Sequence, residues 1–257
     1  MPKLWKYWHR IIGRNCTDMT FVSKYCRNAI FDSKAIEGNI IYNGVEEPQS
    51  VTKYQSLALK SKLKIDDDEI ILFGLQRLDY LKRVDILIKS MKLILHRQPK
   101  VRLIIGGEGE DVIRLKKLAE ELKIANYILF TGFINDKDMP VYYAISDLFV
   151  FHSTYETFGM VLAEAMNYGK AVVSVSNTAI SEVVEDGKSG LLVPALDYKA
   201  FANAILKLLN NKKCRNKMGK LGYEKVQKFY KWDKIATQYE KVFEFAVNNR
   251  TMLKNQI

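Results

Sequence analysis

Cysteine is scarce in this sequence of 257 residues. The three cysteines, Cys16, Cys26 and Cys214, are odd in number and form neither a CxxC motif nor a cysteine–histidine ligand spacing. A disulfide scaffold and a structural zinc site are therefore poor explanations of the fold. The same scarcity favours a reducing compartment, so we expect a cytoplasmic protein.

Long apolar runs are also missing. No stretch approaches the roughly 18 apolar residues that a membrane-spanning helix needs. The opening residues, MPKLWKYWHRIIGR, hold no continuous apolar segment and no small-residue cleavage site, so we expect no secretory signal. The GxSxG signature of a nucleophilic serine is absent too. Apolar residues nevertheless make up 48% of the chain and charged residues 27%, which is ordinary globular usage and predicts one or two domains.

The net charge of +11 is unevenly distributed along the chain. Residues 1–44 carry a net charge of +4 and residues 212–257 carry +8, which leaves residues 45–211 at −1. No nucleic-acid-binding motif accompanies the basic ends, so we expect no nucleic-acid partner. An anionic membrane surface or an acidic partner domain is the better expectation for these ends.

Short apolar runs alternate with helical patterns through the centre of the chain. The predicted strands are Ile70–Leu75, Val101–Gly106, Tyr127–Thr131, Asp147–Phe151, Ala171–Val175 and Gly190–Val193. The predicted helices span about 83–96, 111–123, 138–145, 159–168, 179–184 and 197–209. This alternation predicts an α/β fold with a Rossmann-like, doubly wound parallel sheet, whose ligands bind outside the carboxyl ends of the strands.

The segment from Glu156 to Glu164, ETFGMVLAE, leads from one such strand end into a helix. Its two carboxylates are eight residues apart, roughly 12 Å of rise on a continuous helix. That exceeds the roughly 5–9.5 Å between paired hydrolytic acids, so the two suit the two ends of an extended ligand. Alternatively, Glu156 stabilises the helix N-terminus and Glu164 lies on a solvated face.

Two further loops connect a strand to a helix. Arg77 and Lys82 lie five residues apart after the first strand, where two cations could clamp a diphosphate or simply form a basic loop. The sequence GGEGED after the second strand includes Gly109 but lacks the third glycine of a dinucleotide fingerprint. It predicts a tight turn near a ligand rather than an NAD site.

Other polar residues carry weaker signals. Asp136 and Asp138 have the D-x-D form of a metal-diphosphate site, but Asp138 more simply serves as a helix N-cap, so we assign no metal. His152, just before Glu156, could contact a ligand or be a half-buried structural residue.

Taken in order, these pieces resemble the C-terminal, donor-binding half of a GT-B glycosyltransferase close to glycosyltransferase family 4. The matching motifs are Asn43-Gly44-Val45, Arg77 with Lys82, Gly107-Glu108-Gly109, Phe130-Thr131-Gly132-Phe133 and Glu156-x-Phe158-Gly159-x4-Glu164. The resemblance covers roughly residues 15–245. It implies transfer of a hexose from a nucleotide sugar to a glycan or lipid acceptor, with retention of configuration and without a metal or other cofactor.

The resemblance also implies roles for individual residues. Arg77 and Lys82 would neutralise the donor diphosphate, and Glu156 would lie against the hydroxyls of the transferred sugar. Glu164 would bind the ribose hydroxyls.

Backbone groups complete the implied site. The backbones of Thr157, Phe158 and Gly159 would approach sugar and phosphate, and the backbone near Phe133 and Ile134 would meet the base.

Three residues depart from the family pattern: Gln76 and Arg83 replace glycines, and His152 replaces a proline. Arg83 could add a third cation.

Most of one GT-B domain is missing from this length of chain. By resemblance, residues 1–44 are a remnant of the N-terminal acceptor domain, 45–230 the donor-binding domain and 231–257 a C-terminal crossover helix. The chain could therefore be a non-catalytic nucleotide-sugar-binding subunit that needs a partner chain carrying the acceptor site. A third alternative is a peripheral membrane module that uses Trp5, Tyr7, Trp8 and the basic residues of a helix at 3–13.

Overall fold

The computed structural model describes Cys16, residues 18–30 and residues 38–254. The predicted helix at 3–13, with Trp5, Tyr7 and Trp8, lies outside the described residues. The three cysteines are all described, and none forms a disulfide.

Strands and helices alternate as the sequence predicts. The strands are β1 (Thr20–Phe21), β2 (Asn39–Ile40), β3 (Ile70–Leu75), β4 (Val101–Gly106), β5 (Ile128–Gly132), β6 (Leu148–Val150), β7 (Val172–Val175) and β8 (Gly190–Val193). The helices are α1 (Lys24–Ile30), α2 (Lys53–Lys62), α3 (Val84–Leu95), α4 (Val112–Glu121), α5 (Met139–Ile145), α6 (Met160–Asn167), α7 (Ile180–Val183), α8 (Tyr198–Leu209), α9 (Lys212–Phe229) and α10 (Trp232–Lys254). All six predicted strands and all six predicted helices of the centre form, with ends that differ by at most two residues.

Six of the strands form one parallel sheet in the order β5-β4-β3-β6-β7-β8. The chain reverses its direction of winding after β5, so β3 and β6 become neighbours at the centre of the sheet. This confirms the predicted doubly wound α/β fold. It also brings the loops that follow β3 and β6 together at the carboxyl edge, where such sheets bind ligands.

The apolar runs form strands because helices cover both faces of the sheet. Helices α4 and α8 pack against α3 on one side, while α2 packs against α5 and α9 against α6 on the other. The central strand residues Leu72 and Phe73 are fully buried, and Phe73 contacts the rings of Tyr142, Tyr143 and Phe149. None of the described helices has the length and hydrophobicity that a membrane span requires.

The ends of the chain pack differently from the centre. Strands β1 and β2 pair in parallel as a separate two-stranded sheet. The side chains of Trp232 and Phe243 on helix α10 are about half or more exposed. Trp232 nevertheless lies against Gly44, where an added Cβ atom would sit 2.5 Å from the indole.

Candidate functional site

The loop that follows β3 carries both predicted diphosphate-binding cations, and Asp79 determines its shape. The Asp79 carboxylate accepts hydrogen bonds from the backbone N–H groups of Leu81 at 2.9 Å and Lys82 at 3.1 Å. It also pairs with Arg77, whose Nε lies 2.5 Å from Oδ2. Burial opposes ionisation of Asp79, but these hydrogen bonds prevail and hold the pKa of its carboxyl below the ordinary value. The loop is therefore held in one conformation by a buried anion.

Lys82 and Glu156 form an ion pair, with 2.8 Å between Nζ and Oε2. Their side chains are 19% and 16% exposed, so the pair is largely withdrawn from solvent. The Lys82 ammonium group also lies 5.6 Å from the centre of the Phe151 ring. Lys82 and Glu156 are 74 positions apart in the sequence. They meet because they follow β3 and β6, which are adjacent strands of the sheet.

A second contact ties the same two loops together. Both the backbone N–H and the Oγ1 hydroxyl of Thr154 donate hydrogen bonds to the carbonyl oxygen of Leu81, at 3.0 and 2.9 Å. Sequence reasoning did not select Thr154, because a threonine in a loop carries no signal of its own. The contact makes the loops after β3 and β6 a single unit around the Lys82–Glu156 pair.

The glycines that follow β4 form the wall next to Arg77. A Cβ atom on Gly109 would lie 2.2 Å from the carbonyl oxygen of Leu78. The Leu78 N–H donates to the Glu108 carbonyl at 2.7 Å, which holds the two loops side by side. Gly109 and Arg77 line one cleft of about 370 Å³, although the Arg77 side chain is 71% exposed. The GGEGED motif is thus a tight turn at the predicted site.

The segment that joins β6 to α6 is anchored from the N-terminal part of the chain. The Ser23 hydroxyl donates a hydrogen bond of 2.6 Å to the carbonyl oxygen of Thr157. Phe158 is fully buried against the rings of Tyr42 and Tyr230. Gly159 has φ +97°, a left-handed conformation that favours glycine, at the position before α6 begins. At Phe158 and Gly159, therefore, only the backbone can approach a ligand.

Glu164 lines a cavity, whereas Glu156 pairs with Lys82. Glu156 precedes α6, whereas Glu164 lies within it and lines a cavity of about 330 Å³ together with Tyr143, Tyr168 and Met160. Tyr143 Oη donates a hydrogen bond of 2.9 Å to Glu164 Oε2. Burial raises the pKa of the Glu164 carboxyl above its ordinary value, although the hydrogen bond from Tyr143 lowers it. The alternative of a solvated Glu164 is wrong.

The predicted base-binding residues follow β5. Phe133 is exposed over 68% of its surface, whereas Ile134 is buried and closes over Gly106. The two side chains therefore point to different environments, and only their backbone was predicted to meet a ligand.

The structure brings some predicted residues together and keeps others apart. Lys82 contacts Glu156, and Arg77 shares a cleft with Gly109. Arg83 does not add a free cation, because its guanidinium forms a double hydrogen bond with the buried Asp85 at 2.9 and 3.0 Å.

Asp138 occupies the predicted N-cap position of α5, but its side chain makes no capping hydrogen bond. Among the described residues, no cluster of three or more potential metal ligands exists.

Several buried polar groups lie at this edge, and the sequence analysis did not single out Asn177 or Thr178 among them. Within the described residues, buried side-chain atoms of Gln76, His152, Asn177 and Thr178 have no hydrogen-bond partner. These residues follow β3, β6 and β7, which are neighbours in the sheet. Unpaired buried polar groups concentrate where proteins bind ligands or store strain. The departures of Gln76 and His152 from the family pattern were the available signal.

His152 is fully buried, not half-buried, and should make stability pH-dependent. Burial, assisted by the charge of Arg83, lowers its pKa to about 4 from 6.5, while its Nε2 accepts a hydrogen bond from the backbone N–H of Leu196. Protonation therefore favours the unfolded chain, and stability is lost as the pH falls from 6.5 towards 4. We expect the free energy of unfolding to drop by about 2 kcal/mol between pH 7 and pH 5, measured by urea denaturation.

The control for this prediction is His152→Asn, which cannot titrate in this range. Its stability should decrease less between the two pH values, whatever its stability at pH 7. Equal losses in both chains would show that His152 is not the group responsible.

Comparison with known proteins places these observations in a family. A family model described as "Glycosyl transferases group 1" matches residues 56–225, about two thirds of the chain. The alpha-monoglucosyldiacylglycerol synthase of Streptococcus pneumoniae is 29% identical over 196 residues, which are 74% of this chain and 44% of that protein.

Solved structures have the same fold. The sucrose-phosphate synthase of Thermosynechococcus elongatus matches with a TM-score of 0.82 and 26% identity, over 93% of this chain and 60% of its own. Anabaena Alr3699/HepE, solved in complex with UDP-glucose, matches with a TM-score of 0.82 and 23% identity, over 91% of this chain and 65% of its own. This chain thus spans only part of the length of each of these proteins.

Proposed function

Since this chain belongs to the group 1 glycosyl transferases, we propose that it binds a nucleotide sugar and transfers the hexose to a glycan or lipid acceptor. The family membership confirms the resemblance drawn from the motifs. The observation that carries the proposal is the Lys82–Glu156 pair, because it joins a cation and a carboxylate at the carboxyl edge of the sheet.

Each side of this pair suits one part of a nucleotide sugar. Lys82, with Arg77 in the adjacent cleft, would neutralise charge that develops on the departing nucleoside diphosphate. Glu156 would accept hydrogen bonds from hydroxyls of the hexose, and the Thr157–Gly159 backbone would approach the sugar and phosphate. We propose that the reaction retains configuration, as the family resemblance implies. We also propose that it needs no metal or other cofactor, because the two cations take over the neutralisation of the diphosphate.

The nucleoside would extend away from this pair. Glu164 would accept hydrogen bonds from the ribose hydroxyls, and the backbone near Phe133 and Ile134 would meet the base. Glu156 pairs with Lys82, whereas Glu164 lines a cavity of about 330 Å³, and this difference supports the extended arrangement.

The acceptor and a second domain belong to the same proposal. The relatives contain a further third or more of chain beyond the part matched here. The isolated β1–β2 sheet and the exposed aromatic residues of α10 support a second Rossmann-like domain, in a separate chain or a further segment, that carries the acceptor site. We also propose a cytoplasmic location with peripheral attachment to anionic membrane, which the basic ends of the sequence support.

The second candidate function is a non-catalytic nucleotide-sugar-binding subunit, which the partial length favours. Transfer of hexose by the purified chain alone, on any acceptor tested, would exclude it.

Liposome flotation with and without anionic lipid tests the membrane proposal independently.

Calorimetric titration of the purified chain with UDP, GDP, ADP and UDP-glucose tests the donor site. We expect saturable binding of one nucleotide series and a loss of about tenfold in affinity for Glu164→Ala, since the variant lacks a charged hydrogen-bond partner. Glu121→Ala, on the surface of α4, serves as the control. A folded chain that binds none of these nucleotides would overturn the proposal.

A further inference from the structure

Two stacked tyrosines hold the Glu164 carboxylate in place. Tyr143 is fully buried, and its hydroxyl donates to Glu164 Oε2 at 2.9 Å. The Tyr143 ring stacks on Tyr168, with 5.0 Å between ring centres and 13° between planes. The Tyr168 hydroxyl in turn accepts a hydrogen bond of 3.0 Å from the backbone N–H of Gln49. A continuous series of contacts therefore runs from the loop after β2 to the carboxylate.

This arrangement occupies one carboxylate oxygen and leaves the other available. Within the described part of the chain, no hydrogen bond reaches Glu164 Oε1, and the residue lines the cavity of about 330 Å³. A carboxylate oxygen that accepts hydrogen bonds from two neighbouring hydroxyls must point in a defined direction. The bond from Tyr143 supplies that direction, because it restrains rotation of the carboxylate about its terminal bond.

We infer that Tyr143 is a positioning residue for nucleotide binding, which orients the Glu164 carboxylate. The inference rests on the proposed function, in which Glu164 binds the ribose. It gives Tyr143 a role that none of the motifs indicates, since tyrosines in a helix next to a sheet are usually core residues.

The surroundings of Glu164 make this role measurable through pH. Burial and the negative charge of Asp136 both raise the pKa of Glu164, whereas the hydrogen bond from Tyr143 lowers it. The other titratable groups that face the cavity are Glu46, Glu47 and Tyr168, and Glu47 is paired with Lys231. Protonated Glu164 can no longer accept from both ribose hydroxyls, so nucleotide affinity decreases as the pH falls through its pKa.

Two substitutions should therefore move the pH profile in opposite directions. Tyr143→Phe removes a hydrogen bond to the ionised carboxylate, so its affinity for nucleotide declines at a higher pH than in the wild type. Asp136→Asn removes a negative charge, so its affinity declines at a lower pH. The exposed position of Asp136 means that this second variant keeps the fold even if Tyr143→Phe is destabilised.

The matched control is Tyr142→Phe. Tyr142 is the adjacent buried tyrosine of α5, and its ring stacks on the core residue Phe73. Removing its hydroxyl tests the general cost of a tyrosine-to-phenylalanine change in this helix, without touching Glu164. We expect its pH profile to match that of the wild type.

The experiment is calorimetric titration from pH 5 to pH 8 with whichever of UDP, GDP and ADP binds wild-type chain most tightly. At pH 7 we expect Tyr143→Phe to weaken binding about fivefold, the effect of one hydrogen bond to a charged group. We also expect the penalty for the 2′-deoxy form of that nucleotide to shrink in this variant. Wild-type binding with unchanged pH profiles in Tyr143→Phe and Asp136→Asn would overturn the inference alone, whereas absent wild-type binding would overturn the proposed function.

Discussion

Lys82→Met lowers the affinity of the chain for a nucleoside diphosphate about 100-fold, the largest binding effect that we expect from a single substitution. The ammonium group is largely buried, so little water screens its attraction for phosphate oxygens. Methionine preserves the length and apolar contacts of the side chain, including the approach to the Phe151 ring. The measurement is the dissociation constant for UDP, GDP or ADP by calorimetric titration.

The partner substitution should act on binding in the opposite sense. In the free chain Lys82 is engaged by Glu156, so a diphosphate must compete with that carboxylate. Glu156→Gln removes the competing charge, and we expect it to raise nucleoside diphosphate affinity about threefold. The same variant should lose hexose transfer by about 100-fold where transfer is measurable, because the sugar hydroxyls lose a charged acceptor.

Lys117→Met is the control for charge alone, since Lys117 is exposed on α4 and only distantly paired with Glu121. Its affinity should equal that of the wild type. Full nucleotide affinity in Lys82→Met would show that the cation is purely structural and would remove the observation on which the proposed function rests.

Gly107→Ala destabilises the fold by about 3 kcal/mol and lowers the melting temperature by about 6–12 °C. Gly107 has φ +115°, and a Cβ atom there would lie 2.0 Å from the carbonyl oxygen of Gln76. The Gln76 oxygen is a backbone atom and the added Cβ atom is bonded to the backbone, so neither atom can move away unless the backbone itself shifts. The Gly107 N–H also donates to the Gly132 carbonyl at 2.8 Å, so the loops after β3, β4 and β5 would shift together.

The matched control is Gly187→Ala. Gly187 also has a positive φ, +73°, but an added Cβ atom would meet no atom within 4 Å. This variant should show the conformational cost alone, about 1 kcal/mol. Thermal unfolding of the two variants and the wild type gives the comparison, and equal melting temperatures for the two variants would contradict the steric explanation. Nucleotide affinity should fall in Gly107→Ala only, because the wall of the Arg77 cleft moves.

Local pattern was sufficient to predict the elements of the central domain. Runs such as IILFGL and VRLIIG are apolar except for Arg102, because both faces of a parallel sheet are covered, so they were recognisable as strands before any contact was known. Turn residues and helix periodicity between them predicted the helices to within two residues. Helix α10 differs from these helices, because Trp232 and Phe243 remain about half or more exposed, although Trp232 lies against Gly44 and the Phe243 ring stacks on Tyr239.

The candidate site was predictable as a set of residues but not as a set of contacts. Glu156, Lys82 and Arg77 were selected because each follows a strand, and the ordered motifs resembled one family. Nothing in the sequence indicated that Lys82 pairs with Glu156, or that Tyr143 holds Glu164, because ion pairs and hydrogen bonds at such separations leave no local pattern. The complete burial of His152 was misjudged for the same reason, since the residues around it include Phe201 of α8 and Leu196, both more than 40 positions away in the sequence.

The sequence by itself determined the alternation of strands and helices, the doubly wound sheet and the family, because hydrophobic periodicity and motif order are local properties of the chain. The tertiary structure alone decided which carboxylate meets which cation, which glycines exclude a side chain and which polar groups are buried. The Lys82–Glu156 pair arises where β3 and β6 become neighbours, an adjacency created by the reversal of winding after β5. The glycine contacts arise where the loop after β4 lies against the loop after β3.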